Sequence, residues 1–444
     1  MQASMPVTSE TERDIRGVGV SAANEMGATS GANSGTSEQV FAGSRCLEAL
    51  VVAVNQVSER SRWYTETKEL QLSSLQLCEA CRIAHNVHLR VHPGTPTALL
   101  AAVESPHDNA DEGVLSRVPR LQARRLKWLL PSLDLLSKAE DNFAQVEELH
   151  FGDAFNSSLV LRTWPYRLRS IGFGFSSRFN QPIVEVVWPV QLQQLSFGRR
   201  FNQSVEEVEW PKSLRELKFG YKFDHSIEGV KWPSSLLELT LTGKFNQPID
   251  GVKWPSMLLK LKLVGKFNQP IEGVKWPIAL RLLTFGYDFN QSVEGVTWPV
   301  SLQQLTFGFS FNQPIADVTW PTKLQQLTFG LNFNQPVDGV TWPPSLEELT
   351  LGEHFNQPIQ GTRWPLLRHL VLAEKFRQPL QHLGTVVPSL ERFTLHLGFN
   401  FTSYHLLRGI EWPNGLTHLA VGKYANLDGI SIPSGVSVSY LWCR

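Results

Sequence analysis

Nine Trp-Pro pairs, beginning at Trp188, Trp210, Trp232, Trp254, Trp276, Trp298, Trp320, Trp342 and Trp364, recur at an unbroken interval of 22 residues. A ruler that strict means one structural unit copied and stacked, and it constrains the architecture before any other feature is read. Trp164-Pro165 extends the series upstream at a spacing of 24, while Pro388 and Trp412-Pro413 extend it downstream out of register. About twelve coils therefore fill residues 146–435.

The unit from Ser301 to Pro321 shows what one coil has to do. Leu302, Leu305 and Phe307 follow an L-x-x-L-x-L spacing, which puts Leu305 and Phe307 on one face of a short strand. Gly308 ends that strand, at a turn where a positive φ is expected. Pro314 cannot donate to a ladder, and Pro321 holds the residue before it extended. Val318 and Trp320 alternate on the return limb and share a face. No stretch of the unit is left for a helix, so each coil is predicted to be strand, turn and extended return. One coil cannot bury its Leu, Phe and Trp alone; stacking on neighbours does it.

Stacking places like residues over like. Phe179, Phe201, Phe223, Phe245, Phe267, Phe289, Phe311, Phe333 and Phe355 should form one internal column. Asn180, Asn202, Asn246, Asn268, Asn290, Asn312, Asn334 and Asn356 should form a second, each amide bonding the backbone of the next coil. Asp224 and Arg377 replace Asn once each and should mark the least regular coils. Each Trp shares a face with a Val (Val230 with Trp232, Val296 with Trp298), which favours core packing over an exposed aromatic ladder for sugars.

The strings Phe311-Asn312-Gln313-Pro314-Ile315, Val318-x-Trp320-Pro321 and Leu324-x-x-Leu327-x-Phe329-Gly330 return in nearly every coil from Leu168 to Leu372. This repeat resembles the FNIP repeat of the leucine-rich-repeat superfamily. The departure is Trp before Pro, where family members often carry an aliphatic residue. The resemblance implies a mostly β, leucine-rich-repeat-like β-solenoid and says little about activity, because fold and function separate easily. Members of the family often pair these repeats with an F-box, which implies a substrate receptor of a cullin-type ubiquitin ligase. Residues 46–140 show no leucine-proline opening followed by the helical pattern an F-box would have.

The chain carries 41 basic and 41 acidic residues, so neither nucleic acid nor a membrane surface is expected as the partner. No run approaches the 18 apolar residues of a membrane span. Residues 1–45, rich in Ser, Gly, Ala and Thr, read as a disordered tail without a secretion signal. Four cysteines make no disulfide framework. Asn156, Asn202, Asn290 and Asn400 stand in glycosylation sequons, two of them in the column expected to be internal, which argues for an intracellular, cytoplasmic protein.

Residues 46–145 lack the period and read as a partly helical cap over the first coil, with candidate helices at Leu47–Val57 and Glu69–His88 and a basic, leucine-rich stretch at Leu115–Lys138. Leu390–Arg444 loses register as a terminal cap would, residues 436–444 forming a short tail. Cys78, Cys81, His85 and His88 fall on one helical stripe, which cannot wrap one zinc tetrahedrally, so they read as a helix face; no metal or cofactor is expected.

No phosphate-cradling loop, G-x-S-x-G, H-E-x-x-H or kinase string is present, and the reading is non-enzymatic. The return limb carries Glu228, Asp250, Glu272, Glu294 and Asp338 in one column, with Lys231, Lys253 and Lys275 three residues on as compensation. On the strand, the third and fifth positions of L-x-x-L-x-F point away from the core. One column reads Gln194, Glu216, Glu238, Lys260, Leu282, Gln304, Gln326, Glu348 and His369. The other contains Lys218, Thr240, Lys262, Thr284, Thr306, Thr328 and Thr350. Core positions barely vary between coils while these do, so a protein or peptide partner is expected on the strand face; glycan binding through Trp is the alternative from the opposite limb.

Overall fold

The computed structural model describes residues 88–91, 125–128, 145–160, 163–396, 404–423 and 425–441, all within one compact unit. They form a single parallel sheet of sixteen strands whose spatial order is their sequence order. The strands are β1 (His88–Val91), β2 (Arg125–Trp128), β3 (Glu148–Phe151), β4 (Ser170–Phe173), β5 (Gln194–Ser196), β6 (Glu216–Lys218), β7 (Glu238–Gly243) and β8 (Lys260–Gly265). They continue with β9 (Leu282–Phe285), β10 (Gln304–Thr306), β11 (Gln326–Thr328), β12 (Glu348–Thr350), β13 (His369–Leu372), β14 (Arg392–Leu395), β15 (His418–Gly422) and β16 (Ser437–Leu441). Two four-residue helices, α1 (Leu383–Val386) and α2 (Tyr404–Leu407), are the only helices among the described residues, and both follow the last strict Trp-Pro interval.

The 22-residue period is one sheet register step: Leu283, Leu305 and Leu327 pair in a row, as do Thr284, Thr306 and Thr328. Up to three tight turns close a coil. In the unit read above, Phe311 N donates to Gly308 O, Val318 N to Ile315 O, and Leu324 N to Pro321 O. These turns begin at a Gly, an Ile or Val, and a Pro that recur in most coils, so those corners are written into the sequence; Thr242 and Val264 replace the Gly in two coils. The inward Leu and Phe rows are almost completely buried, and the Phe179-to-Phe355 column runs through the core with successive rings nearly parallel, as between Phe179 and Phe201 (5.9 Å, 3°).

Gly308 differs from expectation. It does not have a positive φ; it is glycine because a Cβ there would collide with the Gly286 carbonyl one coil back. Gly220, Gly330 and Gly352 meet the same obstacle, so this column is set by coil-to-coil approach.

The sheet also reaches past the ends expected for it. β1 and β2 lie upstream of residue 146 in the segment read as a helical cap, and β16 occupies most of the segment read as a tail. Neither upstream strand carries a Trp-Pro marker, nor does β3; Val387-Pro388 precedes β14 and Ile432-Pro433 precedes β16 where Trp-Pro precedes the others. His88, the last residue of the candidate helix Glu69–His88, begins β1, and Arg125–Trp128 of the basic stretch is β2. The tail 1–45, the candidate helix Leu47–Val57, and Cys78, Cys81 and His85 lie outside the described residues.

Candidate functional site

The Asn column forms a ladder along the turn edge of the sheet. Asn202 N donates to Asn180 Oδ1 at 2.7 Å, and the same bond links Asn268 to Asn246, Asn290 to Asn268, Asn312 to Asn290, Asn334 to Asn312 and Asn356 to Asn334. The ladder starts one coil earlier than the column read from sequence, at Asn156. Asp224 does not break it, because its Oδ1 accepts from Asn246 N at 2.9 Å as an amide oxygen would. Arg377 N takes the last rung from Asn356, and the guanidinium turns back onto the carbonyls of Glu374 and Phe376.

The following Gln makes a second rail that the sequence reading missed, although its recurrence beside every Asn was the signal. Gln269 Nε2 donates to Asn246 O and Gln335 Nε2 to Asn312 O, both at 2.9 Å. The column is half-buried rather than internal, and Asn202 is exposed. Burial alone therefore does not forbid a glycan at that sequon, and the compartment argument built on it loses its support.

The Trp column packs against the core. Trp188, Trp210, Trp298, Trp320 and Trp364 are buried, while Trp232, Trp254, Trp276 and Trp342 are half-buried against it. Several neighbouring indoles stack, as Trp298 on Trp320 at 6.4 Å and 12°, whereas Trp342 and Trp364 meet edge to face. Where the strand ends in Phe the indole also meets it edge to face, as Trp320 with Phe329 at 81°. The Nε1 atoms of these nine residues are buried without an acceptor among the described residues. Trp164 and Trp412, outside the strict ruler, instead donate to Val187 O and Ser431 O, both at 2.8 Å. Five buried rings leave no continuous aromatic platform for stacking sugars.

On the return limb, Glu228, Asp250, Glu272, Glu294 and Asp338 are exposed, as are Lys231, Lys253 and Lys275, but no ion pair joins the two columns. Their compensation acts through solvent, where it is worth little.

The strand face brings its two columns together in register. Its third-position column runs Gln194, Glu216, Glu238, Lys260, Leu282, Gln304, Gln326, Glu348, His369, and continues to Arg392 and His418. Upstream it includes Arg125, Glu148 and Ser170, which the 22-residue ruler did not reach. The face changes character along the array. Toward β5–β8, Gln194 donates to Glu216 at 3.2 Å and Lys260 pairs with Glu238, the carboxylate raising the pKa of the lysine. Toward β12–β14, Arg392 reaches Glu348 at 3.4 Å and His369 lies 3.4 Å from Thr394 Oγ1. Burial pushes the His369 pKa down, and the Arg392 charge pushes it further.

Between these charged ends, Leu282, Thr284, Gln304, Thr306, Gln326 and Thr328 make a neutral stretch, each half-buried by its in-register neighbours. Each polar position there carries a hydroxyl or an amide, partly exposed on a strand paired on both sides. No group of three or more His, Cys, Asp or Glu side chains that could hold a metal ion occurs among the described residues, and no helix there is long and apolar enough to cross a membrane.

The family model described as FNIP Repeat matches residues 179–222, 201–244, 267–310, 289–332 and 333–362. Among solved structures, CroV588, described as a novel circular LRR protein, is 33% identical at a TM-score of 0.57, over 72% of this chain and 49% of that one. TLR13, solved in a complex with ssRNA13, is 15% identical at a TM-score of 0.55, over 78% of this chain and 55% of that one. The chain thus spans about half the length of these two. No curated protein sequence matches it. The repeats, the parallel coil-by-coil sheet and these likenesses agree: the chain is an FNIP-repeat protein, and its solenoid is of the leucine-rich-repeat-like class.

Proposed function

We propose that the chain is a non-enzymatic scaffold that binds a protein or peptide partner across its strand face. The observation that carries this reading is the neutral stretch from Leu282 to Thr328, whose Gln and Thr side chains form no side-chain hydrogen bond of their own and stand between charged ends. A surface of that composition resembles the charge-depleted centre and polar rim of a protein interface. Its backbone is held by the sheet ladder on both sides, so little ordering is needed when a partner docks. The partner-contacting residues in this reading are the third- and fifth-position side chains from Gln194 to His369; the Trp and Asn columns hold them in place.

The test is partner capture by the full chain beside a quadruple variant, Gln304→Lys, Thr306→Glu, Gln326→Glu and Thr328→Lys. Cross-strand neighbours in that variant carry opposite charges, which keeps the sheet itself satisfied. A partner held by the natural chain should be lost while the melting temperature is unchanged. Retention of every partner by the variant would sink the strand-face reading.

A further inference from the structure

The side chains that follow the strand-ending turn form an exposed ridge of rings. Arg199 places its guanidinium 5.9 Å from the Phe175 ring and 5.3 Å from the Tyr221 ring, across three consecutive coils. Further along, Tyr287 stacks on Phe309 at 4.6 Å and 10°. Between Tyr221 and Tyr287 the same position is Gly243 and then Gly265. The backbone follows coil by coil, with Lys244 N donating to Tyr221 O, Lys266 N to Gly243 O and Asp288 N to Gly265 O. In these two coils the strands run on to the glycine, because Leu241-Thr242 and Leu263-Val264 stand where most coils have Phe-Gly. Both glycines have positive φ, 67° and 119°, so neither position readily takes a side chain.

The ridge therefore has a notch two coils wide. Arg199 covers the face of Tyr221 on one side and Phe309 covers that of Tyr287 on the other, so the free ring faces look toward each other across it. Tyr221 is 39% exposed and Tyr287 60%. Three coil intervals separate the rings by roughly 14 Å, which equals the ~10 Å of a packed extended chain with its side chains plus ring contact of ~3.5–4 Å. Lys222, Lys244 and Lys266, one per coil, are exposed along this segment and form no ion pair among the described residues. Asp288 ends the basic row at the far wall.

We propose that this notch seats an extended acidic peptide segment of a partner protein, with carboxylates on Lys222, Lys244 and Lys266 and a side chain packed against Tyr221 and Tyr287. The surface is distinct from the neutral strand-face stretch and does not depend on it. A nucleic-acid strand fits less well, since it needs a cationic groove continued over many nucleotides and these cations stop at Asp288.

The test uses the full chain and isothermal titration with three probes: a nine-residue peptide alternating Glu with Ala, the same peptide with Gln for Glu, and a ten-nucleotide oligo-dT. The Glu peptide should bind at low salt and the Gln peptide should not. Lys222→Gln, Lys244→Gln and Lys266→Gln together should weaken binding at least about tenfold. Tyr221→Ala with Tyr287→Ala should weaken it at constant charge, whereas the strand-face quadruple variant should leave it unchanged. No binding of the Glu peptide, equal binding by the lysine variant, or loss only in the strand-face variant would overturn the proposal. So would tighter binding of oligo-dT lost with the same lysines.

Discussion

Replacing Asn312 with Ala removes one acceptor that serves two donors. Asn312 Oδ1 receives Asn334 N–H at 2.9 Å and Gln335 Nε2 at 3.0 Å. Gln335 keeps a second acceptor, the Asn312 carbonyl at 2.9 Å, so the group left without a partner is the Asn334 amide. A buried donor stripped of its acceptor costs ~1–3 kcal/mol. Asn312 is half-buried and water partly replaces the oxygen, which places the loss at about 1–2 kcal/mol. That corresponds to roughly 5–30-fold faster exchange of the Asn334 amide hydrogen. Asn312→Asp should cost far less, because Asp224 already serves as a rung by accepting from Asn246 N and from Gln247 Nε2, both at 2.9 Å. Site-resolved hydrogen exchange is the assay to use, since solenoids open coil by coil and one melting curve averages over them. Unchanged exchange at Asn334 in the Ala variant would refute the ladder as a source of stability. Asp as damaging as Ala would refute the acceptor argument.

The remaining predictions concern glycine and histidine. Gly308→Ala forces a methyl against the Gly286 carbonyl and should cost more than ~2 kcal/mol in urea unfolding, whereas Gly229→Ala, whose added methyl meets only the flexible Glu206 side chain, should stay within about 0.5 kcal/mol. His369 and His396 both have pKa values lowered in the folded chain, chiefly by burial. As pH falls below the ordinary value near 6.5 the unfolded chain takes up these protons first, so their effect on stability is absent at high pH and turns unfavourable on acidification. Urea midpoints should drop between about pH 7.5 and 5.5, and His369→Gln with His396→Gln should flatten the slope. A slope no smaller in the double variant would contradict this assignment.

The coil was legible in the sequence because it is local and repeated. Leu305, Phe307, Val318 and Trp320 declare their facing by period, and the prolines exclude helix. Twenty-two residues from one Trp-Pro to the next then leave few ways to close a turn. Parallel in-register stacking followed, since only it lays Phe over Phe and Asn over Asn.

Other features were set between coils and had no local mark. Gly308 looked like a turn glycine, but the neighbouring coil's carbonyl decides it. Asp224 looked like an irregularity, yet a carboxylate oxygen fills the place of an amide oxygen in the ladder. β1, β2, β3, β14 and β16 joined the sheet without a Trp-Pro marker, because a parallel strand needs only matching backbone groups to pair with its neighbour. The notch between Tyr221 and Tyr287 arises because two glycines fall in adjacent coils, a coincidence visible only after stacking. Sequence by itself determined the repeating unit and its core, which depend on residues close along the chain. The tertiary structure decided which side chains meet across coils, because each neighbour there lies a full turn away.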